Sequence, residues 1–183
     1  TSGVATQPTG SLGGTVTGAP GNARTLRHVN VAADVGGAGS KFPEVLSHLS
    51  PLPVICIDPR YDSDPRTVEE VVAAGYETRF DVVTCISVIE HVTEVKKFFR
   101  ACHTLLKPGG LLFVTTDYWD AEGADTAHFH WMRQRIYNTG LITKLLTDLR
   151  DLGFQAFGEG DWSYRGPQVY DYSVCSVAMV RKS

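Results

Sequence analysis

Between Val29 and Thr116 the sequence alternates short apolar runs with stretches of helical period, an order that few folds accept. Val29, Val31, Ala32, Ala33 and Val35 form the first run. Phe42, Val45, Leu46 and Leu49 follow at helical spacing until Ser50-Pro51 stops them. Pro53–Ile57 reads as a second strand, and Asp64-Pro65 as an N-cap with proline in the first helical position, opening a helix through about Ala74. Phe80–Val88 is nearly continuous in apolar residues, as a strand buried on both faces must be. Thr93 is expected to cap a helix built on Val95, Phe98, Phe99, Cys102, Leu105 and Leu106, which Lys107-Pro108-Gly109-Gly110 ends. Leu111–Thr116 is another buried strand, and the polar, aromatic stretch Asp117–Tyr137 interrupts the alternation. Leu141, Ile142, Leu145, Leu146, Leu149 and Leu152 mark a last helix with Gly153 as its C-cap. Phe154–Phe157 and Tyr172–Val180 suggest a terminal antiparallel pair.

This order predicts an α/β architecture: a Rossmann-like, doubly wound, mostly parallel sheet with a C-terminal antiparallel strand. Residues 1–24, rich in Gly, Thr and Pro and without apolar period, read as a flexible tail or linker, leaving residues 25–183 as one domain. The sequence opens on Thr1, so its start is processed, trimmed or part of something longer. A net charge of −3 gives no general pull toward nucleic acid or anionic lipid, so a nucleic-acid partner is disfavoured. No apolar run approaches the ~20 residues of a membrane span, and no secretory signal opens the chain. Cys56, Cys85, Cys102 and Cys175 form no Cys-x-x-Cys pair and read as reduced thiols of a cytoplasmic protein. The pattern carries no signal of oligomeric state.

In a doubly wound sheet, ligands bind beyond the carboxyl ends of the strands, where strand order reverses. The loops after Val35, Ile57, Ile86 and Thr116 should therefore converge. The first, Asp34-Val35-Gly36-Gly37-Ala38-Gly39-Ser40, has the small residues that let a ligand approach backbone at a helix N-terminus. Asp58 closes the next strand about 20 residues on, where a carboxylate can accept both hydroxyls of a nucleoside ribose. A dinucleotide Gly-x-Gly-x-x-Gly begun at Gly36 would need glycine at Ala38 and Lys41, which disfavours a nicotinamide-dependent oxidoreductase. A carboxylate two residues before the first glycine, Asp34, suits a cofactor bearing an ammonium group.

The segments VAADVGGAGS, VICIDPR, FDVVTCISVIEHV and LLKPGGLLFVTTDYW resemble, in order, the motifs of class I S-adenosylmethionine-dependent methyltransferases, and among them the type 11 small-molecule group. The resemblance runs from about Val29 to Thr116, with a weaker echo in RIYNTGLITKLLTDLRDLGF and the last strand. It implies S-adenosylmethionine as cofactor and methyl transfer as activity. It implies that Asp34, Gly36, Gly37 and Ala38 face the methionine part, that Asp58 holds the ribose, and that Cys85 and Ile86 line the cofactor. Two departures stand out. Ala38 and Ser40 replace usual glycines, and segment 59–79 is too short for the family's helix plus third strand. The sheet is therefore shortened there, or the sequence omits a piece.

For the acceptor, Glu90-His91 and Asp117-Tyr118-Trp119 follow two of the strands, and His128-Phe129-His130-Trp131 lies further on. His91 reads as a general base or, more plainly, as a residue fixing the turn after its strand. Asp117 is a second candidate for the acceptor's proton. Tyr118, Trp119, His128, His130 and Trp131 could enclose a small-molecule acceptor, or simply pack. His-x-His finds no third ligand by spacing, so no metal site is expected. A rival reading is a methyltransferase-like domain that serves as a non-catalytic binding or assembly module.

Overall fold

The computed structural model describes residues 31–37, 39–49, 54–60, 65–119, 135–160 and 173–183. The chain begins with β1 (Ala32–Val35), α1 (Phe42–Leu49), β2 (Val54–Ile57), α2 (Val68–Ala73) and β3 (Phe80–Ile86). A 3₁₀ turn over Ile89–His91 leads to α3 (Val95–Leu105), β4 (Leu106–Tyr118), α4 (Thr139–Asp151), β5 (Phe154–Ala156) and β6 (Ser173–Arg181). The described strands form one sheet in the order β2-β1-β3-β4-β6-β5. β2, β1, β3 and β4 are parallel, while β6 runs antiparallel to both β4 and β5. This is the mixed α/β sheet expected from the sequence. Among the described residues, only α2 lies between β2 and β3, and β2 ends the row of strands.

The core follows from the apolar periods. Phe80, Val83, Cys85, Leu112 and Val114 bury the central strands. Phe98, Phe99, Cys102 and Leu105 of α3 and Ile142, Leu145 and Leu149 of α4 meet them in one cluster. Asn138 caps α4 by accepting from the Leu141 N–H at 2.9 Å, and Gly153 ends it in the left-handed region at φ 97°. Arg181, on β6, donates from Nη1 to the carbonyls of His103 and Leu106, satisfying the carboxyl end of α3. No described helix is long and apolar enough to cross a membrane.

Several boundaries differ from those the sequence suggests. Helix α2 starts at Val68 and is capped by Thr67, three residues after the expected start; Asp64 lies outside the described residues. Glu70 N–H donates to Thr67 Oγ1 at 3.2 Å and Thr67 N–H to Glu70 Oε2 at 2.7 Å, and this reciprocal box satisfies two helix donors at once. Helix α3 starts at Val95, with Glu94 at the cap position and no side-chain capping bond; Thr93 stands outside because the 3₁₀ turn closes just before it. Leu106 already pairs with Phe80, and Lys107–Gly110 bulges out before pairing resumes between Val82 and Leu111. The Lys-Pro-Gly-Gly stretch is thus an irregularity inside a longer β4. That strand also takes in Asp117 and Tyr118, which pair with Val174 and Ser173 of β6. Residues 1–24, Ala38, His128, His130 and Trp131 lie outside the described residues.

Candidate cofactor and acceptor site

Four parallel strands bring the loops after β1, β2, β3 and β4 to one edge. The first turn is drawn onto the second strand by the bond from Gly36 N–H to the Ile57 carbonyl, 2.8 Å. A Cβ on Gly36 would meet Val88 Cγ2 at 2.4 Å, and its φ of 80° is one that side chains resist. Val88, just past β3, therefore closes directly over the glycine turn.

Asp34 sits at the centre and is fully buried. Its Oδ1 accepts from Thr84 Oγ1 on β3 at 2.5 Å, while Oδ2 has no hydrogen-bond partner among the described residues. That oxygen faces Gly37 so closely that a Cβ there would lie 1.8 Å from it. Desolvation raises the carboxyl from 3.8 to about 6; the Thr84 bond opposes the rise and the neighbouring Asp58 charge adds to it. A buried, ionised oxygen without a partner is costly unless a donor or cation completes it. An ammonium group is such a partner, so the residues fit the cofactor that the resemblance implies.

Asp58 follows β2 and is 1% exposed. Its carboxylate accepts from the backbone N–H, Nε and Nη2 of Arg60 at 2.8, 3.2 and 3.1 Å. Cys85 is wholly buried and Ile86 half-buried at the end of β3.

On the far side of the same edge, Glu90 is 4% exposed and accepts from Thr116 Oγ1 at 3.2 Å. Burial lifts its carboxyl from 4.5 to about 7, and nearby Asp117, itself buried, pushes in the same direction. The Glu90 carbonyl accepts from Arg135 N–H at 3.0 Å; Tyr137 N–H donates to the Asp117 backbone carbonyl and Trp119 N–H to the Tyr137 carbonyl. His91 is exposed on the 3₁₀ turn. Tyr118 points into the core, 7% exposed, and its hydroxyl pairs with Thr139 Oγ1 at 2.9 Å; Trp119 remains half-buried. The structure thus joins Asp34 and Asp58 on one side and Glu90 and Asp117 on the other. The sequence assigns Glu90 no role beyond its place beside His91, and none to the Thr84 and Thr116 side chains, although a glutamate inside the apolar run VIEHV is the kind of signal that marks a buried acid.

A family model described as a methyltransferase domain matches residues 29–157. The chain is 51% identical over 47 residues to the ubiquinone biosynthesis O-methyltransferase of Azotobacter vinelandii, an alignment covering 26% of this chain and 20% of that protein. To the ubiquinone biosynthesis O-methyltransferase of Methylobacterium sp. it is 33% identical over 114 residues, 62% of this chain and 36% of the relative. The chain thus matches only about a fifth to a third of these relatives' own length. An S-adenosylmethionine-dependent methyltransferase from Mesorhizobium loti superposes with a TM-score of 0.57 at 15% identity, covering 85% of this chain and 92% of that one.

Proposed function

This chain belongs to the methyltransferase domain family, whose class I enzymes use S-adenosylmethionine, and from that membership we propose that it methylates a small-molecule acceptor, with a hydroxyl oxygen as the leading case. The O-methyltransferase names of the relatives support the choice of oxygen. The observation that carries the cofactor reading is the buried Asp34 oxygen left without a partner over Gly37. When bound, the cofactor supplies a methyl group already made electrophilic by its sulfonium.

The chain's own residues have to seat, orient and deprotonate. Asp34 would accept from the methionine ammonium, and Gly36 and Gly37 would let the backbone approach it. Asp58 would accept the ribose hydroxyls, with Cys85 and Ile86 as the wall. Removing the acceptor's proton falls to Asp117 or Glu90, buried together at the end of β4, or to His91 on the exposed turn. Four free thiols support a reducing, cytoplasmic setting.

Calorimetry with S-adenosylhomocysteine tests the cofactor assignment. The wild type should bind, and Asp58→Ala should bind about ten- to a hundredfold more weakly. Equal affinities would remove Asp58 from the ribose. For the acceptor side, a screen of catechols and phenols is scored by release of S-adenosylhomocysteine. Trp119→Ala should impair turnover while sparing cofactor affinity; loss of cofactor binding instead would make Trp119 structural. A non-catalytic binding module is the second reading, favoured by one observation: Arg60 already occupies the Asp58 carboxylate.

A further inference from the structure

The two side-chain bonds from Arg60 to Asp58 form a fork, Nε on Oδ1 and Nη2 on Oδ2, 3.2 and 3.1 Å long. A vicinal ribose diol offers the same pattern, two adjacent donors for the two oxygens of one carboxylate. Guanidinium and diol therefore compete for one edge of Asp58. From this geometry we infer that Arg60 is an internal plug of the ribose seat, which the nucleoside must displace to bind. The inference rests on the assignment of Asp58 to the ribose.

The plug is placed for release. Asp58 is 1% exposed, but the Arg60 side chain is 71% exposed, so the guanidinium exchanges one partner for water when it leaves. The bond from Arg60 backbone N–H to Oδ1 does not depend on the side chain and keeps the carboxylate aimed. Charge balance favours the exchange as well. Asp34 and Asp58 lie close enough to repel each other, and Arg60 places a cation on Asp58 before the cofactor arrives. The cofactor's ammonium, received by Asp34, brings a positive charge to the same pair as Arg60 departs.

The test is calorimetric titration of S-adenosylhomocysteine into wild type, Arg60→Lys and Arg60→Ala, with melting temperatures as a check on folding. Arg60→Ala should bind roughly two- to fivefold tighter than wild type, the scale of an ion pair with one exposed partner. Arg60→Lys keeps the charge without the fork and should fall between. At about 1 M salt the advantage of Arg60→Ala should shrink, because the competing ion pair is screened. Binding by the variant alone would support the plug outright. Equal or weaker binding by a folded Arg60→Ala would overturn it, making Arg60 a bystander or a positioning residue. If neither wild type nor Arg60→Ala binds while both fold, the cofactor assignment itself fails, and the plug fails with it.

Discussion

Asp34 faces two opposing demands: its burial favours the neutral acid, and the proposed ligand needs the anion. With its carboxyl raised to about 6, the group is partly protonated just below neutrality. An arriving ammonium binds the ionised form, so binding should pull the proton off. Affinity for S-adenosylhomocysteine should therefore be flat above about pH 7 and weaken as pH falls below 6. Asp34→Asn should bind more weakly and lose that pH dependence. A wild-type affinity unchanged between pH 5 and 8 would separate Asp34 from the ligand. Glycine 37 gives a sharper steric test. Gly37→Ala puts a methyl 1.8 Å from Asp34 Oδ2, so the carboxylate must move and cofactor affinity should collapse. Gly39→Ala meets nothing within 4 Å and bears only the strain of a φ of 77°, so it should cost about 1 kcal/mol of stability while sparing binding. At this scale the sequence disclosed the acids that end strands, because position alone marks Asp34 and Asp58. It did not disclose what touches them: the bond to Thr84 spans fifty positions, and the fork from Arg60 depends on rotamers that no spacing encodes.

At the scale of elements, strands and helices were legible wherever apolar period was strong. The strand expected over Phe80–Val88 forms over Phe80–Ile86, two residues shorter, and the α4 leucines fall where the pattern puts them. Boundaries were less legible, because caps compete locally. Asp64-Pro65 has the residue types of a helix start, but Thr67 with Glu70 satisfies two donors and fixes the start three residues later. Thr67→Ala should therefore destabilise the domain by about 1 kcal/mol, read by urea unfolding. Glu70→Gln, which keeps the box's acceptor, should cost less. S-adenosylhomocysteine affinity should not change in either, since neither Thr67 nor Glu70 is among the residues proposed to hold the cofactor; a binding defect would show that α2 helps shape the cofactor seat. The bulge at Lys107–Gly110 was illegible for a different reason. Pro-Gly-Gly reads as a stop, but the pairings of Leu106 with Phe80 and of Leu111 with Val82 hold both sides of it in the sheet, and Lys107 Nζ reaches Asp81 Oδ2 at 2.8 Å.

For the whole molecule, the buried acids at the strand ends set the balance between a stable fold and a ready site. Asp34, Glu90 and Asp117 are all within 4% of full burial. Two of them have carboxyls well above their ordinary values: Asp34 from 3.8 to about 6, Glu90 from 4.5 to about 7. A raised folded value means the native state holds its proton more tightly than the unfolded chain. Each group's contribution is fully present below its unfolded value and is lost as pH rises through the folded one, so the windows run from about 4 to 6 and from about 4.5 to 7. Each shift corresponds to roughly 3 kcal/mol. Urea unfolding should accordingly show a domain more stable near pH 5 than at pH 8, opposite to the usual acid lability of paired carboxylates. Glu90→Gln keeps the bond from Thr116 without a charge, so it should raise stability at pH 8 and remove the upper part of the slope. Saturating S-adenosylhomocysteine should remove the lower part, because the ammonium stabilises ionised Asp34 while leaving Glu90 untouched. If stability instead rises from pH 5 to 8 in the ligand-free protein, the acids are not held protonated by burial, and Glu90 is an ordinary solvated carboxylate rather than a candidate to take the acceptor's proton.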